Sequence, residues 1–400
     1  MIASKTLKES LRMTAQWFRN SGVMLPADGS WGVAERVLLT HGNETCEKTL
    51  RSFPAWTPFK DHCIVEQRRA DCNLETAFLF LKLHEIFGDQ AFYDTAENIL
   101  AFLYFRSGLL NRFGDGDKSM IGTWDWSHIK RTHNIYFDDD SWMVALALKI
   151  ARKYPKLDRR FEMKKWALLL ADLMADAFPR YFKNQGEKEL SFSWLGNTKL
   201  PHWGSLVCMA LAEAYKFNPK PEYRAVVDSY NRFLSEKGAA LTVSEFGYAL
   251  MGCTAAYRAM KDEASLKCAR LFADRIVGAM NPETGSLPSE HCEAPSGKGL
   301  ADTIYTLNWA VLGLQNMAAL DDRYSTPLEK MLSLLLKIQD RTRKKHLYGC
   351  WRGMFDLETG KWGGGDRFEG GANSIYTGWT NAPIAWAVAF ALQKSNLAGD

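Results

Sequence analysis

Residues 137–151 read Phe-Asp-Asp-Asp-Ser-Trp-Met-Val-Ala-Leu-Ala-Leu-Lys-Ile-Ala, three carboxylates followed by a stretch that is apolar on every side. A helix with no wet face must pack against neighbours all round, so this segment reads as an inner element. Further stretches of the same kind begin near Asp71, His202, Glu245, Ala301 and Thr380. Between them run one-faced amphipathic segments, at Lys5 to Arg19, Ala91 to Arg106, Arg160 to Phe178, Pro219 to Glu236, Glu263 to Val277 and Thr326 to Asp340. In Pro219 to Glu236, for example, Tyr223, Val226, Val227, Tyr230 and Phe233 recur at helical spacing while charged residues fill the other face. Strict alternation of the two kinds predicts an all-α (α/α)6 toroid, a six-hairpin barrel with an apolar inner ring and an outer ring wet on one side.

The links that follow inner segments are short, as at Gly88 to Gln90, and those that precede them are long. One face of the toroid therefore carries tight turns and the other carries long aromatic loops. The connections Asn20 to Arg69 and Arg341 to Thr380 are rich in glycine and aromatic residues, and we expect both to fold over the ring and shape a pocket. A turn at Glu358 to Gly360 predicts a small hairpin in the second.

No linker or charge block interrupts the 400 residues, so the chain reads as a single domain, 1–400, with 46% hydrophobic content to fill its core. A net charge of +4, spread along the chain without a basic tract, argues against nucleic acid as a partner. No apolar run suits a membrane span, and Lys5, Lys8, Glu9 and Arg12 break up any signal-peptide core, which suggests a cytoplasmic location. The eight cysteines are scattered without CxxC spacing and read as structural thiols. No histidine-rich metal motif, calcium loop, P-loop or dinucleotide fingerprint emerges, so the expectation is catalysis with no metal and no cofactor.

Several of the 14 tryptophans lie in loops, at Trp56, Trp124, Trp126, Trp351, Trp362 and Trp379, where core packing explains them less well. Three adjacent carboxylates, Asp138, Asp139 and Asp140, exceed what helix capping needs, and their crowding can lift one of them into the range of a general acid. Upstream, Trp124, Asp125, Trp126, His128 and His133 combine flat apolar faces with polar groups, a composition suited to a sugar subsite. Asp71, Asp125, Asp140, His202 and Glu245 each stand at or just before the start of an inner segment and are expected to converge at one end of the ring, with Arg69 and Trp203 next to them in the chain. Arg68, Arg69, Arg112, Lys130 and Arg131 beside these acids suggest a grip on a substrate carboxylate.

The helical series resembles the six-hairpin glycosidase superfamily over nearly the whole chain. Asp140-Ser141-Trp142-Met143 is similar to the Asp-x-x-Met opening of an inner helix in unsaturated glucuronyl hydrolases, and Asp71 stands at the station of their other important aspartate. The Asp-Asp pair is also similar to that of endo-mannanases of this fold. The resemblance implies Asp140 as the general acid/base and Asp71 as its partner. Where glucuronyl hydrolases show Arg-Gly-Gln-x-Trp before the third inner helix, residues 200–204 here read Leu-Pro-His-Trp-Gly. The expected function is a glycoside hydrolase acting on oligosaccharides, with a uronic acid among the sugars. Asp140, Asp139, Asp71, Asp125 and Glu245 are the catalytic set. Trp124, Trp126, His128, His133, Arg69, His202, Trp203 and Trp379 are the substrate-binding set. A sugar 2-epimerase of the acylglucosamine type, with paired histidines, and a polysaccharide lyase with a Tyr/His base remain open alternatives.

Overall fold

The computed structural model describes residues 2–39, 48, 51–52, 55–114, 117–129, 134–183, 193–290, 299–363 and 370–400. The apolar stretches form six inner helices: α2 (Ala70–Phe87), α4 (Phe137–Lys153), α7 (Pro201–Phe217), α9 (Val243–Met260), α11 (Leu307–Ala318) and α13 (Ala382–Gln393). Each packs on the next, and α13 packs back on α2, so the ring closes. The outer helices are α1 (Ser4–Asn20), α3 (Gln90–Ala101), α6 (Met163–Lys183), α8 (Pro221–Lys237), α10 (Glu263–Ala279) and α12 (Ser325–Ile338), with a short α5 (Pro155–Phe161) between α4 and α6. α1 packs against α13, joining the two ends of the chain into the last hairpin. The fold is the (α/α)6 barrel.

The inner helices approach closely where side chains vanish. A Cβ at Gly247 would lie 2.7 Å from the Ala310 nitrogen on α11, and one at Gly252 would lie 2.5 Å from the Ser205 oxygen on α7. Glycine on both flanks thus lets α9 seat itself between its neighbours. The lumen is filled by rings: Trp142 stacks on Trp309 at 5.2 Å, and Trp386 meets Trp142 at 5.9 Å and Phe78 at 5.3 Å. The short links are closed by local devices. Gly88 ends α2 in the left-handed conformation (φ 67°), and the side chains of Asp89 and Asp262 accept backbone N–H groups at the starts of α3 and α10.

The two long connections meet in one antiparallel sheet. Its strands are β1 (Arg36–Leu39), β2 (Trp56–Pro58), β3 (His62–Val65) and β9 (Ser374–Tyr376), in the order β2-β3-β1-β9. Arg36 pairs with Tyr376 in register. Two further short strands, β4 (Asn134–Tyr136) and β5 (Ser193–Leu195), pair in parallel before α4 and α7. A third sheet contains β6 (Leu300–Asp302), β7 (Met354–Asp356) and β8 (Lys361–Trp362), with Glu358 to Gly360 forming the turn between the last two.

Two expectations change. The fifth inner helix starts at Leu307 rather than near Ala301, because Leu300–Asp302 pairs with β7 and Asp302 then accepts the Ile304 and Tyr305 N–H groups in a tight turn. Trp351 is core rather than loop surface, since its indole is fully buried and donates to the Leu335 carbonyl at 2.7 Å. The six described cysteines are buried and free; Cys46 and Cys292 lie outside the described residues. Among the described residues no helix is long and apolar enough to cross a membrane.

Candidate active site

The N-termini of the inner helices surround a narrow cavity lined by Arg69, Asp71 and Glu75 from α2 and its approach, by Asp138, Asp139 and Trp142 from α4, and by His202, Tyr248, Trp309 and Trp379. Trp142 and Trp309 form its floor. Trp379 reaches it from a π-helical turn, Thr377–Asn381, that ends the second long connection.

Arg69 organises one wall. Its guanidinium grips Asp71 with two hydrogen bonds, of 3.1 and 2.8 Å, donates to Asp139 at 2.7 Å and reaches Glu35 at 3.4 Å. A planar fork serves three carboxylates where an ammonium would serve one well. On the opposite wall His202 Nε2 meets Asp138 Oδ2 at 3.0 Å. The imidazole is sandwiched between Trp203 and Tyr248, with ring centroids 4.4 and 4.7 Å away, so its orientation is set by packing as well as by the ion pair.

These surroundings drive two adjacent carboxyls apart. Burial acts to raise Asp138, but the hydrogen bond and charge of His202, with Arg69, hold it below the ordinary carboxylate range. Burial, reinforced by the neighbouring Asp71 and Asp138 charges, pushes Asp139 well above that range despite Arg69. Glu75 is likewise pushed well up by burial and by Asp71. For His202, burial favours the neutral ring, yet the Asp138 partner prevails and the net shift is upward.

Of the residues expected to act, Arg69, Asp71, Asp139, His202 and Trp379 line the cavity, while Trp126 lies beside it with its ring 5.7 Å from the Arg69 guanidinium. Trp203 backs His202. The others go elsewhere. Asp140 does not line the cavity and is buried towards Asp125 and the Trp124 backbone, because each helical step turns a side chain by about 100°. The aspartate that meets Arg69 and Asp71 is Asp139. Asp125 is held by the Asn111 amide at 3.3 Å, and Trp124 is buried edge-on against Tyr104 at 5.1 Å, a core contact. Glu245 accepts the His202 backbone N–H at 2.7 Å and so ties α9 to the exposed start of α7. Glu290 does the same for α9, accepting from Ser244. His128 holds the Arg68 backbone N–H and faces away from the cavity; His133 lies outside the described residues.

Glu75, Trp142, Tyr248 and Trp309 were not expected to line the site. The signal for the first was available, since Glu75 stands four residues after Asp71 on the same helical face. Gly378 closes the wall behind it: a Cβ there would lie 2.3 Å from Glu75 Oε2 and 2.5 Å from the Cys72 Cα. Gly378→Ala is expected to displace α2 against the π turn, costing about 1–3 kcal/mol, and to lower activity beyond what stability alone explains. Thermal denaturation and steady-state kinetics measured together check this.

Two described clusters carry ligand-type atoms close together, Asp71 with Cys72 and Glu75, and Asp61 with His62 and His346. Neither fits a metal well. In the first, Arg69 already occupies Asp71, and burial pushes Cys72 and Glu75 toward their protonated, non-ligating forms. In the second, the imidazoles stack nearly parallel at 3.9 Å, which aims their in-plane lone pairs side by side, and Lys344 takes Asp61 Oδ2 at 2.7 Å.

No family model and no curated protein matches the sequence. Solved structures do match the fold. A cellobiose 2-epimerase from Bacillus thermoamylovorans superposes with a TM-score of 0.64 at 11% identity, over 98% of this chain and 99% of that one. An inactive variant of an alpha-1,6-mannanase from Salegentibacter, with two adjacent aspartates replaced by asparagine and alpha-1,6-mannotriose bound, matches at 0.58 and 11% identity, over 96% of this chain and 99% of that one. An unsaturated glucuronyl hydrolase from Streptococcus agalactiae matches at 0.58 and 12% identity, over 100% of this chain and 94% of that one. All are (α/α)6 barrels, and this chain has their fold.

Proposed function

We propose that the chain is a glycoside hydrolase acting on oligosaccharides, built as one catalytic domain over residues 1–400, with Asp139 as the general acid and Asp138 as the ionised partner. One observation carries this reading: two consecutive carboxyls line the same cavity, and their environments push one proton affinity up and the other down. Glycosidic cleavage needs that division of labour. The neutral Asp139 carboxyl delivers its proton to the leaving oxygen as the C–O bond breaks. The Asp138 carboxylate, held by His202, stabilises the positive charge that develops on the sugar, and either takes the proton of the water that attacks the anomeric carbon or bonds that carbon itself until water displaces it. Asp71 and Arg69 orient Asp139 for the transfer.

The inactive mannanase variant supports a role for adjacent aspartates. The 2-epimerase alternative, which His128, His133, His202 and His291 kept open, needs a second histidine facing His202; among the described residues His202 is the one histidine lining the cavity, and His133 and His291 lie outside those residues. A tyrosine base of the lyase kind finds little support in Tyr248, whose phenol burial pushes well above its ordinary value. The test is product analysis: incubation with gluco- and manno-oligosaccharides and with uronic-acid disaccharides should release new reducing ends. C2 epimers without cleavage, detected by NMR, would replace the hydrolase reading with the isomerase one.

A pH profile should show the same division. Activity requires Asp138 ionised and Asp139 protonated, so kcat/KM is expected to fall on the acid side as Asp138 gains its proton and on the alkaline side as Asp139 loses its own. His202 gives a separate stability signature. Its folded pKa lies above the ordinary 6.5, so its pairing with Asp138 contributes fully below that pH and is lost as pH rises through the elevated value. Thermal denaturation of His202→Gln should therefore differ most from the parent below about pH 6.5 and least at high pH.

A further inference from the structure

Several buried polar atoms of the cavity-lining residues have no hydrogen-bond partner among the described residues: Glu75 Oε2, Asp138 Oδ1, Tyr248 Oη, Trp309 Nε1 and Trp379 Nε1. Buried polar groups are costly to leave unpaired, and the cavity they surround, about 10 Å³, has room for one water or one inserted hydroxyl to satisfy them. The set mixes acceptors on Asp138 and Glu75, donors on the two indoles and a phenol able to do both. Hydroxyl groups, which donate and accept, complement such a lining.

The cations tell the same story from the other side. Arg69 is committed to Asp71, Asp139 and Glu35. Arg68 spends its guanidinium on the Trp31 carbonyl at 2.7 Å, the Glu66 carbonyl at 2.8 Å and the Glu66 carboxylate at 2.6 Å. Arg112 donates to the Tyr104 carbonyl at 3.0 Å. Lys130 and Arg131, also expected to hold a substrate carboxylate, lie outside the described residues. A carboxylate entering this cavity would be desolvated beside Asp71, Asp138 and Glu75 with no uncommitted arginine among the described residues to receive it.

We infer that the sugar unit that places a hydroxyl in this cavity is uncharged, a hydroxyl-bearing neutral hexose-type unit rather than a uronic acid. This rests on the glycosidase reading only in taking the ligand to be a carbohydrate. Tyr248 then serves as a specificity residue: its hydroxyl bonds a sugar hydroxyl, while its ring holds His202 in place.

The test is binding to the full-length protein, followed by ligand-observed NMR and calorimetry, with glucose, mannose and cellobiose set against glucuronic and galacturonic acids at neutral pH. Neutral sugars are expected to bind at least about tenfold more tightly than the uronates. A second arm uses Tyr248→Phe, which keeps the stack on His202. The variant should melt at the parent temperature or above, because it removes a partnerless buried hydroxyl, while neutral-sugar affinity drops by about three- to tenfold. Uronates binding as well as neutral sugars, no binding of either class, or unchanged sugar affinity in Tyr248→Phe overturns the inference. A neutral preference without any cleaved product sinks the hydrolase reading alone, whereas cleavage confined to uronides sinks this inference alone.

Discussion

Asp139→Asn is expected to lower kcat by about two to four orders of magnitude while leaving the melting temperature close to that of the parent. Asparagine is nearly isosteric and can still accept from Arg69, so the wall of the cavity survives; what disappears is the transferable proton. Asp138→Asn should be comparably damaging for the opposite reason, since it removes the negative charge and leaves His202 without its ion pair. The informative control is Asp140→Asn. Asp140 is one residue along the same helix, fully buried and pushed up in proton affinity by that burial, but it lies outside the cavity lining. Its replacement should leave kcat within a few-fold of the parent. Steady-state kinetics on the three purified variants, with circular dichroism to confirm folding, decide the matter; collapse of activity in Asp140→Asn with normal turnover in Asp139→Asn would return the acid role to Asp140.

Arg69→Met should destabilise the fold by about 3–5 kcal/mol, the largest effect expected of any single substitution at the site. The methionine keeps much of the buried volume but leaves Asp71, Asp139 and Glu35 without the cation that now joins them. Arg69→Lys is expected to recover only part of the loss, because one ammonium does not reproduce the fork that spans three carboxylates. Urea denaturation measures this. A loss under about 1 kcal/mol, the scale of an exposed pair, would mean that the arginine is not the centre of the network.

The ring of hairpins was legible in the sequence because the signal is local and repeated. All-round apolar segments such as 142–151 have nowhere to lie but between other helices, and the amphipathic segments have nowhere to lie but outside them. The same logic placed Asp71, Asp140 and His202 at one end of the ring, since parallel inner helices put all their N-termini together, although Asp139 rather than Asp140 is the aspartate that lines the cavity there. Chain order alone also brought out the aromatic character of the long connections.

Tertiary packing decided which of these residues face the cavity. Asp138, Asp139 and Asp140 are equivalent in composition, and only the seating of α4 against its neighbours turns the first two inward and buries the third beside Asp125. Glu245 looked like a catalytic acid because it stands near a helix start, yet helix starts are also where unpaired N–H groups need acceptors, and one of those N–H groups claims it. Trp124 looked like a sugar platform, and Trp351 like a loop residue outside the core, until their neighbours enclosed them. Arg68 and Arg69 looked available to a substrate until Glu66, Asp71, Asp139 and Glu35 engaged them. Helical periodicity is a property of the chain itself, so it determined the barrel. The protonation, orientation and availability of each site residue depend on groups distant in sequence, so only the folded structure decided them.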